Sequence, residues 1–232
     1  MVASSRNSAS SPDPAEADRA TEIARRLIRE YPDARCRLHA ASPYQLLVAA
    51  ILAAQCTDDK VNEISPALFR EAPTPAALAD MHWRRLESLI RPSGFYRNKR
   101  KSLRGMARAL LERHGGRVPK DMDALTALPG VARKTANMIR AVAFGRPGLI
   151  CDTHVIRLSG RMGLTDESNP EKIERDLAAL LPEETWSDVS HAMLFHGRAV
   201  CIARKPACDR CVVADLCPAA YAFPHFDEMG RG

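Results

Sequence analysis

Aromatic residues are scarce in this 232-residue chain, at 5% of the sequence, and no apolar run approaches the roughly 20 residues that span a bilayer. The first residues also lack the basic and then apolar pattern of a secretory signal. We therefore expect no membrane partner and a soluble, cytoplasmic protein. Hydrophobic residues still make up 46% of the chain, enough for the core of one large domain or of two smaller ones.

Acidic residues are nearly missing from one stretch of a chain whose net charge is +6. From Arg84 to Arg108 there are nine Lys or Arg residues and a single acidic residue, Glu87. Such a concentration of positive charge is typical of a surface that binds a polyanion. A solvated basic surface without a partner would have the same composition, so this stretch by itself leaves both interpretations open.

Alternating apolar and polar residues, the pattern of strands, do not form any long run. Apolar residues recur at helical spacing instead, as at Ile173 and Leu177, and proline-containing joints separate short segments. Ser42 is expected to cap the helix that follows it. The sequence thus predicts an all-α fold of nine to eleven short helices. Residues 1–18 and 223–232 lack apolar periodicity, and we expect a disordered tail and a flexible C-terminus there.

The cysteines indicate a metal centre. Their odd number, seven, and the missing export signal argue against a disulfide framework. Four have the spacing C-x6-C-x2-C-x5-C: Cys201, Cys208, Cys211 and Cys217. Structural zinc sites usually combine two short hooks, and this segment has only one, which favours an iron–sulfur cluster over zinc. Arg204 and Lys205, within the same segment, either balance the thiolate charge or contact phosphate.

Residues 127–137, "ALPGVARKTAN", break one helical pattern and start another. A Walker A loop needs glycine immediately before the lysine, and Arg133 stands there instead. The better interpretation is a helix–hairpin–helix, in which Gly130 permits a tight turn and the following backbone N–H groups bind phosphate, here that of nucleic acid. Lys134 is then either a solvated lysine or, once unprotonated, a nucleophile that forms a Schiff base.

A second helix start lies in "GLICDTHVIRLSGRM", residues 148–162. Asp152 directly precedes a new helical run and is well placed as its N-cap. A carboxylate held at such a position is also suited to face a cationic transition state. The sequence therefore suggests a lysine nucleophile with an aspartate as its electrostatic partner.

Three segments together, "LPGVARKTAN", "DTHVIRLSGRMGL" and "HGRAVCIARKPACDRCVVADLC", resemble the endonuclease III family of helix-hairpin-helix DNA glycosylases and abasic-site lyases. The resemblance covers residues 20–222. It implies a two-lobed helix-hairpin-helix glycosylase fold: a six-helix barrel over 36–147, and a 4Fe–4S cluster domain formed by 19–35 and 148–222. Double-stranded DNA containing a damaged base or an abasic site is the implied partner. A monomer suffices for that task, at the nucleoid if the organism is bacterial.

The resemblance also assigns roles to residues of the three segments. Lys134 matches the family's nucleophilic lysine, Asp152 its catalytic aspartate, and the four cysteines its cluster ligands. The implied activity is removal of oxidised pyrimidines through a lysine Schiff base, followed by β-elimination. The residues with implied DNA contacts in the hairpin and the cysteine segment are Gly130, Val131, Ala132, Arg133, Arg204 and Lys205.

Two further stretches resemble family motifs. "LAAQCTDDKVN" is similar to "SAQATD", so Gln55 matches the glutamine that fills the gap left by a flipped base, and Asp58 belongs to the base pocket. "SGFYRNK" places Phe95 at the apolar wedge that enters the base stack; otherwise Phe95 is a core residue. The chain departs from the family pattern at Ala132, where glycine is usual, and at Ala53, where serine is usual.

Two other functions fit parts of the sequence. Adenine-mismatch glycosylases share the hairpin, but they generally lack a lysine at the position of Lys134 and carry an additional C-terminal domain. A non-catalytic DNA-binding module would combine the same hairpin with a structural zinc ion. The iron content of the protein separates the second alternative from a glycosylase with a cluster.

Overall fold

The computed structural model describes residues 13–227, with side chains to residue 226. Within that range the chain is helical and has no strand, as the sequence predicts. The α-helices are α1 Pro14–Glu30, α2 Pro43–Leu52, α3 Asp58–Glu71, α4 Pro75–Asp80, α5 Trp83–Ile90, α6 Tyr96–His114, α7 Met122–Thr126, α8 Arg133–Phe144, α9 Thr153–Arg161, α10 Pro170–Leu180, α11 Trp186–Ala199 and α12 Pro224–Asp227. Short 3-10 helices lie at Arg91–Ser93, Glu183–Thr185, Cys208–Arg210 and Ala214–Leu216. The described residues thus form twelve α-helices, one more than the nine to eleven expected. Two of them, α7 and α12, are only about one turn long, and such short helices are not evident from apolar periodicity.

The helices begin where local chemistry favours a beginning. In four of them a polar capping residue is followed directly by proline, whose missing N–H and preset φ suit the first helical position. The pairs are Asp13–Pro14, Ser42–Pro43, Thr74–Pro75 and Asn169–Pro170. Ser42 accepts a hydrogen bond from the backbone N–H of Gln45 at 3.2 Å, which confirms the predicted cap. At the other end, α6 and α8 stop at glycines with left-handed backbone, Gly115 and Gly145.

The chain divides into two compact units, and Cys36–Gly148 is one of them. It contains α2 to α8. Helix α2 is buried over nearly its whole length and packs against α3, α6 and α8. The fully buried members of this core include Leu47, Leu52, Val61, Leu86, Leu103, Met106, Leu110 and Ile139. All the helices that carry the hairpin and the Gln55 and Phe95 segments therefore share one core.

The second unit combines α1 with the chain from Leu149 onward. Helix α1 packs against α10 and α11, and α9 also packs against these two helices. At Gly197 of α11 an added Cβ would lie 2.8 Å from His154 Nδ1, so only glycine lets α11 approach α9 this closely. The core of this unit includes Ile23, Leu27, Leu149, Leu158, Leu177 and Met193.

Both predicted flexible ends are wrong in part. The tail expected over 1–18 ends earlier, because Asp13 caps α1 and accepts the Ala15 N–H at 3.1 Å, which starts the helix at Pro14. The flexible end expected over 223–232 contains α12, where Phe226 is 1% exposed and packs edge-to-face against Tyr221. Residues 1–12 and 228–232 of these predictions lie outside the described residues.

None of the helices in the described part of the chain is both long and apolar enough to cross a membrane.

Candidate active site and metal centre

The predicted hairpin is present and joins α7 to α8. Its turn depends on Gly130, whose φ of +82° lies in the left-handed region. A Cβ at this position would lie 2.6 Å from Cβ of Ser102 in α6, so the neighbouring helix also requires glycine here. The Val131 N–H donates to the Leu128 carbonyl at 3.1 Å and closes the turn.

Helix α8 begins without a polar cap. Ala132 is its N-cap residue, with φ −82° and ψ 164°, an extended conformation that any residue adopts without strain. Alanine replaces the usual glycine at no conformational cost, and its methyl group accepts no hydrogen bond from the first backbone N–H groups. Lys134 is the second residue of α8 and is exposed, whereas Val131 is buried and Arg133 is half-buried. The predicted cation at a helix start is therefore confirmed.

Asp152 caps α9, as predicted. Its Oδ1 accepts hydrogen bonds from the backbone N–H groups of His154 at 2.8 Å and Val155 at 2.9 Å. The residue is only 9% exposed. Because one oxygen accepts both bonds, the carboxylate has a fixed orientation, and Oδ2 is not used by the cap.

Two histidines near Asp152 escaped the sequence analysis. His154 lies in the first turn of α9 and His191 in α11, and burial lowers the pKa of each, while the negative charge of Asp152 opposes this. Ser190, the neighbour of His191, accepts the Ile150 N–H at 3.0 Å and fixes the segment that leads to Asp152. His154 could have been noticed from the sequence, because it follows Asp152 by only two residues. His191 is distant in the sequence, and only the fold brings it near Asp152.

Gln55 and Asp58 lie where α2 passes into α3. Gln55 is exposed and has a left-handed backbone, with φ 53°, which is uncommon for a residue other than glycine. Asp58 is the first residue of α3 and is half-buried. Burial raises the pKa of the Cys36 thiol, and the negative charge of Asp58 raises it further. Asp58 thus lies close to Cys36, which packs against the core.

Phe95 is not a core residue. Its side chain is 63% exposed, and its backbone is left-handed, with φ 47°, directly after Gly94 at φ 70°. It is the N-cap residue of α6 and accepts backbone hydrogen bonds from Asn98 and Lys99. A large apolar side chain held in solvent by a strained turn is the arrangement expected of a wedge and not of a packing residue.

Lys99 is another residue that the sequence analysis missed. It lies within the basic stretch, yet it is 4% exposed, and its ammonium donates to the carbonyls of Leu52 at 2.8 Å and Ser93 at 2.7 Å. Burial lowers its pKa. Helical spacing places Lys99 four residues before Leu103, on the apolar face of α6, but only the packing shows which carbonyls its ammonium meets.

The four cysteines of the spaced segment line one pocket, which is partly open to solvent. Within residues 13–226 no three His, Cys, Asp or Glu side chains converge in the way that ligands of a single ion do. The four thiols stand around the walls of the pocket instead. Apolar side chains, including Met162, Val200, Pro206 and Phe223, complete the lining.

Two of the thiols in this pocket oppose their own ionisation. Burial, together with the negative charge of the other three cysteines, raises the pKa of Cys211 to about 11. Burial and the negative charge of Cys201 and Cys208 also raise the pKa of Cys217. Four thiols that line one pocket become thiolates together only when a strongly positive group offsets their charge. The set of four sulfur donors therefore fits an iron–sulfur cluster.

Helix α9 also holds the cysteine segment in place. Arg157 donates from one terminal nitrogen to the carbonyls of Gly197 at 2.9 Å and Cys201 at 3.0 Å. Arg161, one turn later, donates to Ile202 O at 2.8 Å and lies 3.3 Å from Cys201 Sγ. Asp152 thus caps the N-terminus of α9, and Arg157 and Arg161 of the same helix hold Cys201 in position.

These features recur in known proteins. Residues 48–183 match the model of the HhH-GPD superfamily of base excision DNA repair proteins, and residues 201–217 match the iron–sulfur binding domain of endonuclease III. Endonuclease III of Synechocystis sp. is 51% identical over 205 residues, which cover 88% of this chain and 94% of the relative. The chain belongs to the endonuclease III family. Endonuclease III of Escherichia coli is 41% identical over 196 residues, covering 84% of this chain and 93% of the relative.

Solved structures of the family have the same fold. A trapped covalent intermediate of endonuclease III with DNA matches with a TM-score of 0.82 at 38% identity, over 87% of this chain and 95% of that one. The two-lobed helix-hairpin-helix fold and the resemblance stated from the sequence are thereby confirmed. So is the cofactor: this endonuclease III homologue carries a 4Fe–4S cluster. Zinc, the alternative left open by the cysteine spacing, is not what this family domain binds.

The remaining predicted DNA contacts lie on the surface. Arg204 and Lys205 are exposed in the segment between Cys201 and Cys208. The endonuclease III homologue is a DNA glycosylase with abasic-site lyase activity that acts in base excision repair.

Proposed function

We propose that this protein removes oxidised pyrimidines from double-stranded DNA, with Lys134 as the nucleophile and Asp152 as the electrostatic partner. The observation that carries the proposal is the pair of helix starts: an exposed lysine at the uncapped start of α8, and a buried carboxylate at the capped start of α9. An exposed amine is accessible to a nucleotide that has been flipped out of the duplex.

The bonds that change follow from a lysine nucleophile. The Lys134 amine forms a bond to C1′ of the sugar while the N-glycosidic bond breaks. The electron pair of the broken bond leaves with the base, and the base takes up a proton. The sugar ring then opens to give the Schiff base. Loss of a proton from C2′ breaks the C3′–O bond, so the 3′ phosphate leaves and the strand is cut by β-elimination.

Asp152 has two properties suited to this step. Its Oδ1 is fixed by two backbone N–H groups, so the carboxylate does not need to reorganise as positive charge develops on the sugar. Its low exposure removes competing water, which strengthens the interaction of the charge with the transition state. The carboxylate also provides a base for proton transfer during the elimination.

DNA is held, on this proposal, by three groups of residues. Backbone N–H groups at Gly130, Ala132 and Arg133 bind phosphate at the hairpin, since the start of α8 has no side-chain cap, while the Val131 N–H closes the turn. Gln55 fills the gap left by the flipped base, and Phe95 enters the stack, in agreement with the exposure of both side chains. Asp58 forms part of the pocket for the damaged base.

The cluster organises the cysteine segment and takes no part in the bond changes. The residues that would hold it are Cys201, Cys208, Cys211 and Cys217. Its binding orders the segment that presents Arg204 and Lys205 to the DNA backbone. We also infer that the protein acts as a monomer, since one flipped base needs one site, and that it works in the cytoplasm on nucleoid DNA, as bacterial relatives suggest.

Borohydride trapping tests this assignment. Wild-type protein mixed with duplex DNA that contains thymine glycol or an abasic site should give a covalent complex after reduction of the Schiff base. Lys134→Ala should give none. Lys172→Ala is the matched control, since Lys172 is an exposed lysine of α10 that pairs with Glu167 at 2.9 Å. It should trap as well as wild type.

Two results would overturn the assignment. The first is a wild-type protein, with its cluster intact, that gives no covalent complex on either DNA. The second is undiminished trapping by Lys134→Ala, which would place the nucleophile elsewhere in the chain.

A further inference from the structure

Lys99 carries a positive charge into the interior of the unit formed by Cys36–Gly148. Its side chain is 4% exposed, in a helix whose other buried residues include Leu103 and Met106. A charge in such surroundings persists only where polar atoms replace its water. Both of its partners, the Leu52 and Ser93 carbonyls, are neutral backbone groups from two different segments.

The first partner lies at the end of α2. Carbonyls in the last turn of a helix lack intrahelical donors, and Lys99 Nζ supplies one to Leu52 at 2.8 Å. Gln55 follows three residues later, with its left-handed backbone. The Lys99 ammonium therefore fixes the C-terminal end of α2, from which the segment containing Gln55 continues toward the surface.

The second partner lies directly before Phe95. The Ser93 carbonyl, at the end of the 3-10 helix Arg91–Ser93, accepts from Lys99 Nζ at 2.7 Å, and the Phe95 carbonyl accepts from the Lys99 backbone N–H at 3.1 Å. Lys99 thus holds the Gly94–Phe95 turn on both sides, by its side chain and by its backbone.

Both segments have strained residues that need such support. Gln55 and Phe95 are two of the three residues other than glycine with positive φ among those described; the third is Tyr221, in the other unit. A strained conformation persists only where the surrounding structure dictates it, and such residues cluster at functional sites. An ammonium with three donors is able to join two carbonyls from two segments, which an apolar side chain of similar length is not.

We propose that Lys99 is a positioning residue that fixes the Gln55 and Phe95 segments relative to each other before DNA binds. The proposal rests on the DNA-binding roles proposed above for these two side chains. The Gln55 and Phe95 side chains must enter the duplex at the same lesion. Each side chain therefore contributes its full binding energy only when the other is also in position. Joining their supports through one buried cation lowers the entropy lost in reaching that arrangement.

A double-mutant cycle tests this proposal. Lys99→Met keeps the volume of the side chain and removes the donors. Its single-turnover excision rate on a duplex with one oxidised pyrimidine should fall by about 10- to 100-fold, since small misplacements of distant groups cost up to roughly 100-fold. In a protein that already carries Gln55→Ala and Phe95→Ala, the same change should cost about twofold or less, because coupled effects do not add.

A spectroscopic readout separates positioning from stability. With 2-aminopurine opposite the lesion, wild type should increase the fluorescence as the base stack is opened, and Lys99→Met should lose most of that increase while binding undamaged duplex normally. Lys172→Met, which changes the net charge equally at an exposed site in α10, should leave both signals unchanged. If Lys99→Met does not fold, Lys99→Leu, which also lacks donors, replaces it in the cycle.

The outcomes are distinguishable. A loss for Lys99→Met that is equally large with and without Gln55 and Phe95, or an unchanged 2-aminopurine signal, would overturn the proposal while leaving the proposed function intact. A wild-type excision rate for the Gln55→Ala and Phe95→Ala double variant would instead reject the DNA-binding roles, and the role of Lys99 with them.

Discussion

The two residues proposed to carry the reaction lie at the starts of α8 and α9, and these helices begin in opposite ways. The N-cap residue of α8 is Ala132, which has no polar side chain, and the exposed Lys134 lies in the first turn. The N-cap residue of α9 is Asp152, a buried carboxylate that accepts hydrogen bonds from two of the first backbone N–H groups. A helix start favours negative charge, so α9 satisfies its own dipole and α8 does not.

The difference shows how the same local element serves two purposes. The start of α8 lacks the stability that a side-chain cap would add, but it leaves room for a phosphate, whose charge then compensates the helix dipole. The satisfied start of α9 is stable without DNA and uses its donors to orient a carboxylate. Substitutions at these two helix starts should therefore affect DNA binding, the rate of the reaction and the free energy of unfolding to different extents.

The largest expected effect is at Lys134. Lys134→Gln removes the nucleophile while keeping a polar side chain of similar length on α8. The rate of strand cleavage at an abasic site should fall by roughly 1000-fold or more, as for the loss of other nucleophiles. Affinity for the same duplex should stay within a few-fold of wild type, measured by fluorescence anisotropy. A parallel loss of binding and cleavage would assign Lys134 to DNA contact alone.

Asp152 should show the next largest effect, with chemistry and capping separated by two variants. Asn caps helices as well as Asp, so Asp152→Asn should keep the free energy of unfolding within about 1 kcal/mol, yet slow base excision about 100- to 1000-fold. Asp152→Ala should lose the rate and also about 1 kcal/mol of stability. Single-turnover excision and urea unfolding measure the two quantities. An Asn variant with the wild-type rate would reduce Asp152 to a cap.

Gly130→Ala should test the turn that delivers α8. A left-handed backbone costs alanine about 1–2 kcal/mol, and the contact of the new Cβ with Ser102 adds roughly 1–3 kcal/mol of overpacking. The free energy of unfolding should fall by the sum. Adding Ser102→Gly should recover the overpacking part, when compared with the single Ser102→Gly variant. No recovery would mean that the backbone alone requires glycine.

The smallest effect is expected at Ala132, where one substitution can give α8 the kind of polar cap that α9 has. Ala132→Asp gives α8 the cap that α9 has, and should stabilise the protein by about 1 kcal/mol. It should also weaken DNA binding about tenfold, which corresponds to 1.4 kcal/mol, since a carboxylate then occupies the phosphate position. Ala132→Gly is the control and should change both quantities by a few tenths of a kcal/mol. Unchanged DNA affinity for the Asp variant would contradict phosphate binding at this helix start.

Local patterns predicted the elements of the site well. The Pro–Gly break before Lys134, the cap at Asp152 and the spacing of the four cysteines are all features of short segments, and their physical causes act within a few residues. The start of α1 has the same kind of local signal, Asp13 followed by Pro14, but it lies in a segment whose composition is typical of a disordered tail.

Other features depend on contacts between distant segments. Lys99 lies in a run of basic residues with the same composition on either side, and only the fold places it against the Leu52 and Ser93 carbonyls. Phe95 looks like a core residue in the sequence, but α6 has an apolar face without it, and the turn holds it in solvent. Phe226 is buried and packs against Tyr221, whose hydroxyl donates to the Cys208 carbonyl at 3.3 Å.

The sequence by itself determined where most helices start, which turn carries the proposed nucleophile and which cysteines belong together, because caps, glycine turns and ligand spacing depend on neighbours along the chain. The tertiary structure alone decided which charges are buried and which apolar side chains are exposed. Burial depends on groups from distant segments meeting at one place, such as a lysine of α6 with the last carbonyl of α2, and a one-dimensional pattern does not record those meetings.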